Sequence, residues 1–390
     1  MAKHFAALQC APMDPTRTPR YGWQRHLAMA CFLGALGAAA WQLPKPEKPA
    51  FALPASPATD LPPVVLASAP AETGDTARMP SLAELADGRI ALAWISGPDN
   101  RPEREAIWFS RLGRQGWQKP VAIASHESAA GDSFAHIRHV DRPLLTADDD
   151  SLYLWFLSGG LGTAAVNLLN AQISGDGGEH WQRARWLQPQ VAGIGQIDLA
   201  SPPRPLEDGG FALLTGSARP DRGVHWIRVG ANGRVIDTSR LPASSNGLGP
   251  AWIATSASQA WAIISQPDDA PPTLFQSLDG GLHWQESGQN LPMLASKLSP
   301  ALLRLGDGRL LLAGNPATDP GSLKLWLGDA QAGNWHEVKT IESAPDGAAS
   351  FTQPSLLLGR DGRIHLAYAW RGRQIKYLTF STAWLTGEHS

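Results

Sequence analysis

One pattern recurs six times after residue 80 and constrains the fold more than any other feature: an apolar run, a turn of small or acidic residues, then a second apolar run with period-two alternation. It reads SLAELADGRIALAWIS (81–96), PLLTADDDSLYLWFLS (143–158), PPRPLEDGGFALLTGS (202–217), PAWIATSASQAWAIIS (250–265), PALLRLGDGRLLLAGN (300–315) and PSLLLGRDGRIHLAYA (354–369). Asp-Gly between alternating apolar runs is a strong hairpin signal, because primed turns need residues that accept positive φ. Four copies carry it, at Asp87-Gly88, Asp208-Gly209, Asp307-Gly308 and Asp361-Gly362. The copies start 48 to 62 residues apart, room for four short strands each. A β repeat of that length marks a propeller, whose radial closure leaves only short protected edges. The expected fold class is therefore all-β, a six-bladed β-propeller over 76–386.

Composition agrees. Glycine (39), proline (32) and tryptophan (16) are frequent, and charged residues are only 17%, below the roughly 25% of ordinary soluble domains. The net charge is −2 with no long run of either sign. The basic footprint of a nucleic-acid binder is missing. Both cysteines, Cys10 and Cys31, precede the repeats, which excludes a disulfide or a cysteine metal site within them. The eleven histidines offer no ligand spacing better than His136-x-x-His139, so neither a metal nor a cofactor is expected.

Ahead of the repeats lie a basic tail (1–26), an apolar segment (27–41) and a Pro/Ala-rich stretch (42–75). The segment LAMACFLGALGAAAW holds no charge and follows Arg17, Arg20 and Arg25. It reads as a signal-peptide core or a short membrane anchor, with the propeller on the extracytoplasmic side. The stretch after it reads as a stiff, unfolded linker.

A second motif sits out of phase with the hairpins. Ser174-Gly175-Asp176-Gly177-Gly178-Glu179-His180-Trp181 and Ser277-Leu278-Asp279-Gly280-Gly281-Leu282-His283-Trp284 both read S-x-D-G-G-x-x-W. A decayed copy runs from Leu327 through Asp329 and Gly333 to Trp335, and another links Ser110, Gly113 and Trp117. An Asp that accepts N–H bonds across its own turn, glycines at special φ and a Trp packed back over the hairpin form a structural lock.

These boxes resemble the Asp-boxes of the sialidase superfamily. The likeness extends to RMPSLAELADGRIALAWISGPDNRPEREAIWFSR (78–111), to PPRPLEDGGFALL (202–214) and to FTQPSLLLGRDGRIHLAYAWRGRQIKYLTFSTAWL (351–385), which resemble blades of bacterial exo-α-sialidase-like proteins. The resemblance implies an acidic, sialic-acid-like glycan as partner and a glycosidase site of three parts. An arginine cluster grips a carboxylate, a carboxylic acid transfers a proton, and a tyrosine acts as nucleophile. Arg78-Met79-Pro80 resembles the Arg-Ile-Pro motif of the first arginine; Arg204 and Arg371 hold comparable positions beside their hairpins. Asp99 and Glu103 lie where the family's acid/base loop lies. Where sialidases carry Tyr-[Ser/Pro]-Ser-Leu before the last hairpin, this chain has Gln353-Pro354-Ser355-Leu356. Tyr368 is the remaining tyrosine candidate, although its alternation within LAYAW places it in a strand core. Two functions stay open: an exo-α-sialidase-type glycosidase, or a glycan-binding or assembly propeller that has lost catalysis.

Overall fold

The computed structural model describes residues 22–42, 48–54, 61–99, 101–133, 136–148, 151–160, 167–187, 197–217, 223–242, 250–266, 270–296, 298–344 and 351–387. The chain divides into two units, 1–47 and 48–390. In the first, a helix runs from Gly22 to Gln42. Among the described residues no helix is long and apolar enough to cross a membrane. The tail up to residue 21 lies outside the described residues.

The second unit is a six-bladed β-propeller of antiparallel sheets. The first blade comprises Thr76–Glu84, Ile90–Gly97, Ala106–Gly113 and Gly116–Trp117, with Val121–Ser125 also on its third strand. The second comprises Ile137–Asp148, Ser151–Gly160, Asn167–Ser174 and Arg185–Leu187. In the third, Ile197–Asp198 and Arg204–Pro205 both pair with Phe211–Ser217, followed by His225–Val229 and Val235–Arg240. The fourth is Ala251–Ala254, Ala260–Ile264, Thr273–Ser277 and Gln285–Glu286; the fifth is Ala301–Arg304, Leu310–Gly314, Ser322–Gly328 and His336–Ser343. Phe351–Leu358, Ile364–Trp370 and Gln374–Phe380 build the sixth.

Its fourth strand is Val65–Ser68, paired from Val65↔Phe380 to Ser68↔Tyr377. Two pieces of the 42–75 stretch thus belong to the propeller instead of to a spacer. This strand closes the ring, joining the blade formed last to the segment before the first. The other piece, around Phe51, lies against the third and fourth blades. Phe51 is buried beside Trp252, its N–H donates to the Ala257 carbonyl (2.8 Å), and the Ala50 carbonyl accepts from Glu207 (2.9 Å). Backbone bonds and one aromatic anchor outweigh the stiffness that composition implies.

All four Asp-Gly turns form, each glycine at positive φ (Gly88 82°, Gly209 76°, Gly308 91°, Gly362 81°). They are not primed turns. Gly88 N–H donates to Leu85 O and Leu85 N–H to Arg89 O, which leaves one left-handed residue and a bulge. The aspartates take a common role instead: Asp87, Asp208, Asp307 and Asp361 each accept the N–H two residues on, at 2.9–3.0 Å.

The core lies between blades. Every residue of Ile90–Gly97 is buried, because neighbouring blades cover both faces. Ala91, Ala93, Ile95 and Phe109 of the first blade pack with Leu152, Leu154 and Phe156 of the second. Hydroxyls stitch the inner strands. Leu82 N–H donates to Ser355 Oγ (3.1 Å), Leu145 N–H to Ser81 Oγ (2.8 Å) and Trp252 N–H to Ser201 Oγ (3.2 Å). Thr146 Oγ1 donates to the Pro203 carbonyl (3.0 Å).

The Asp-boxes lie between third and fourth strands and lock as the motif implies. Ser174 Oγ accepts from Gly178 N–H (2.8 Å) and donates to Asp176 (2.8 Å), which also accepts from His180 N–H (2.9 Å). Ser277, Asp279, Gly281 and His283 repeat these bonds. The His180 N–H, then its ring and Ser174, hold the Asp176 carboxyl well below its ordinary range. Gly281 has φ +96° and touches the Trp226 ring so closely that a Cβ would lie 2.2 Å from Nε1. The decayed copy keeps the lock: Asp329 accepts from Gly333 N–H (2.8 Å). The Ser110–Trp117 stretch is a plain two-residue hairpin, with Gly113 opposite Gly116.

Candidate functional site

The first strand of each blade lines the central channel, starting at one face and ending in a hairpin at the other. Three of these strands share an irregularity near their start. The register jumps between Arg78 and Ser81, between Asp141 and Leu144, and between Thr352 and Ser355. At each jump a non-glycine residue with positive φ precedes a proline: Met79 (55°), Arg142 (52°) and Gln353 (56°) before Pro80, Pro143 and Pro354. Proline removes a ladder donor, so the strand can bulge there. Left-handed non-glycine residues are costly and gather at functional sites. All six residues line one small cavity at the channel mouth, together with Leu144, Leu199, Ala200 and Ser299. Its volume is about 30 Å³, above the roughly 10–15 Å³ that one water needs.

The bulges bring charged side chains together. Arg78 Nη2 meets Glu105 Oε2 at 2.5 Å, and its Nη1 meets Asp141 Oδ1 at 2.9 Å. Arg142 Nε lies 2.8 Å from Asp198 Oδ1. Glu105 and Asp198 are buried. Burial works against the Arg78 charge, but hydrogen bonds and charge from Glu105 and Asp141 outweigh it and raise its pKa. Gln353 Oε1 accepts from Met79 N–H (2.9 Å), joining the sixth blade to the first at the mouth.

The other sequence candidates fall elsewhere. Asp99 and Glu103 are exposed in the loop after the first hairpin; Glu105, two residues beyond Glu103, is the carboxylate that reaches Arg78. Arg371 is exposed in the turn between the last blade's second and third strands, which the Gly372 carbonyl ties to the Ala77 N–H beside Arg78 (2.8 Å); its guanidinium stacks 4.9 Å from the Trp370 ring centre. Arg204 lies nearer the hairpin face, against Trp252. Tyr368 is buried between the fifth and sixth blades, where its O–H donates to Glu342 (2.7 Å). Burial first, then the Glu342 bond and charge, push this phenol far up, the reverse of what a nucleophile needs. None of the described tyrosines Tyr153, Tyr368 and Tyr377 lines the mouth. Sequence reasoning missed Glu105, Asp141, Arg142 and Asp198. The available signal was the X-Pro pair repeated at equivalent positions as Met79-Pro80, Arg142-Pro143 and Gln353-Pro354.

The chain resembles solved structures of the same architecture. A protein of unknown function from Dyadobacter fermentans matches with TM-score 0.61 at 15% identity, over 81% of this chain and 99% of that one. The intramolecular trans-sialidase from Ruminococcus gnavus matches with TM-score 0.59 at 12% identity, over 80% and 95%. The NanB sialidase from Streptococcus pneumoniae matches with TM-score 0.60 at 9% identity, over 82% and 70%. At such identities the likeness shows the fold. No curated protein matches the sequence. The BNR repeat-like domain matches residues 88–366, well over half of the chain. With its hairpins, locked Asp-boxes and sialidase-like propeller, the chain belongs to the BNR repeat-like domain family.

Proposed function

We propose that this propeller recognises a glycan at its channel mouth without performing the double displacement of sialidases. One observation carries the reading: glutamine stands at the mouth, and every described tyrosine is elsewhere. An amide cannot form and release the covalent glycosyl intermediate that a retaining route requires. Arg78 and Arg142 supply guanidinium forks of the kind that grips a sugar carboxylate. Because both already meet protein carboxylates, an acidic sugar has to share them, which favours modest affinity. The small cavity supports a ligand that rests on the mouth.

A fluorogenic sialoside assay run beside a glycan-array test separates the readings. The expected result is negligible turnover with saturable binding of a carboxylate-bearing glycan, weakened by Arg78→Ala and by salt. Robust hydrolysis by the unaltered protein would sink this reading in favour of an exo-α-sialidase-type glycosidase.

The location of the propeller is part of the proposal. The apolar run behind Arg25 supports export, so the propeller works outside the cytoplasm. A reporter fused after residue 70 should be active only outside the cytoplasm; cytoplasmic activity alone refutes the export reading.

A further inference from the structure

Among the described residues, the first of the three mouth bulges is the one whose left-handed N–H is held by a side chain from another blade. Met79 and Pro80 have no cross-strand partner, because the register passes from Arg78↔Ile95 to Ser81↔Ala93. Proline has no N–H, so the Met79 N–H is the one donor in the bulge. Gln353 Oε1 of the sixth blade accepts it at 2.9 Å. Gln353 holds the same place in its own bulge, with φ 56° before Pro354. Two residues on, Ser355 Oγ accepts from Leu82 N–H (3.1 Å), so the two strands are pinned at two points around the bulge.

That N–H belongs to the planar peptide joining Arg78 to Met79. Holding it fixes the torsion after the Arg78 Cα and the one before the Met79 Cα, the strained one at 55°. The Arg78 side chain leaves from this point and forks to two carboxylates, with Nε and Nη2 on Glu105 and Nη1 on Asp141. Met79 Sδ lies 3.4 Å from the same Nη1. A guanidinium aimed at two acceptors tolerates little rotation of its own backbone. Without the glutamine, the bulge keeps an unpaired donor and an unsupported left-handed residue.

We propose that Gln353 is a positioning residue: across the seam between the last and first blades, its amide oxygen holds the peptide after Arg78 and so aims the guanidinium at the mouth. Where the sialidase resemblance calls for a nucleophile, this chain uses the position to set the geometry of its first arginine. The effect on Arg78 stands by itself; the effect on affinity rests on glycan recognition at the mouth.

The test is NMR of the full chain carrying isotope-labelled arginine, in which the Arg78 Nε–H signal is the one that Arg78→Lys removes. Gln353→Leu, close in size but without an acceptor, should broaden that signal and speed its exchange with water by about fivefold. The Nε–H signals of Arg111 and Arg309, bonded to Gln118 and Asp307, should stay unchanged. Gln353→Glu keeps an acceptor of the same reach and should restore the Arg78 signal, whereas a general loosening of the fold would move all three signals. If Gln353→Leu does not fold, Gln353→Asn withdraws the amide by one methylene, suits a left-handed residue and should have the same effect. In titrations with sialyllactose, Gln353→Leu should weaken binding about fivefold. Added to Arg78→Ala it should cost less than about twofold more, as for residues that act as a unit. An Arg78 signal unchanged in Gln353→Leu or Gln353→Asn overturns the proposal, and so do additive losses of affinity. If the unaltered protein does not bind sialyllactose, glycan recognition fails, and the Arg78 signal still decides the role of Gln353.

Discussion

Phe51→Ala lowers the unfolding free energy by about 3–5 kcal/mol, the range for truncating a buried phenylalanine. Phe51 is only 1% exposed and shares a core cluster with Leu206, Trp226, Trp252 and Trp284 from the third and fourth blades. The segment carrying it bridges Leu206 and bonds to Pro205 and Ala257. It also runs over an Asp-box: a Cβ on Gly280 would lie 1.9 Å from the Pro49 carbonyl. Truncation therefore leaves a cavity beside Trp252 or releases the segment and exposes that ring. Denaturant unfolding gives the loss, and limited proteolysis under native conditions separates the outcomes, since a released segment is cut near residue 50. A loss below about 1 kcal/mol, typical of exposed sites, would show that Phe51 anchors nothing.

That anchor illustrates which parts of the fold the sequence discloses. Hairpins and Asp-boxes are legible because their chemistry is local: Asp87 caps the N–H two residues on, and Asp279 binds a turn that ends four residues on. Blade number follows from counting such units. Closure is different. Val65–Ser68 pairs with Gln374–Phe380, more than 300 residues away, and an edge strand of four exposed residues has no alternation to reveal it. Phe51 is hidden for a related reason, as a single aromatic in a Pro/Ala-rich stretch lacks any period.

The candidate site is legible only in part. Arg78 and Gln353 could be placed at the mouth because each stands at the entry to a hairpin. The carboxylates come from three blades, Glu105 from the loop before a strand and Asp141 and Asp198 from strands, and meet the arginines only in three dimensions. Tyr368 shows the opposite case. Strand alternation alone assigns it to the interior, and it is found there, bonded to Glu342. The bulges that aim the mouth residues combine a proline with a left-handed residue before it. Pre-proline sterics disfavour helical backbone, so the sequence marks the site of the break without showing its direction.

Acidification from pH 7 to pH 4 should remove about 3 kcal/mol of stability through one residue, His365. The ring is buried in the last blade, its Nδ1 lies 2.5 Å from Tyr377 Oη, and it stacks on that phenol at 5.9 Å. Burial lowers its pKa to about 4; Asp361 works against this and Arg363 adds to it. The unfolded chain has an ordinary histidine near 6.5 and so binds the proton first. Between about pH 6.5 and 4 the unfolded state holds more protons, and stability falls as pH falls. Above 6.5 the contribution is complete; below 4 it is gone. Aspartates held low in the turns, such as Asp279 and Asp208, lose their contribution only as pH drops through their own depressed values, under the histidine window. Unfolding free energies at pH 7 and pH 5 should therefore differ by about 2 kcal/mol more in the unaltered protein than in His365→Gln, which cannot take up the proton. Parallel pH profiles for the two proteins would show that His365 titrates normally and that this seam of the last blade is open to water.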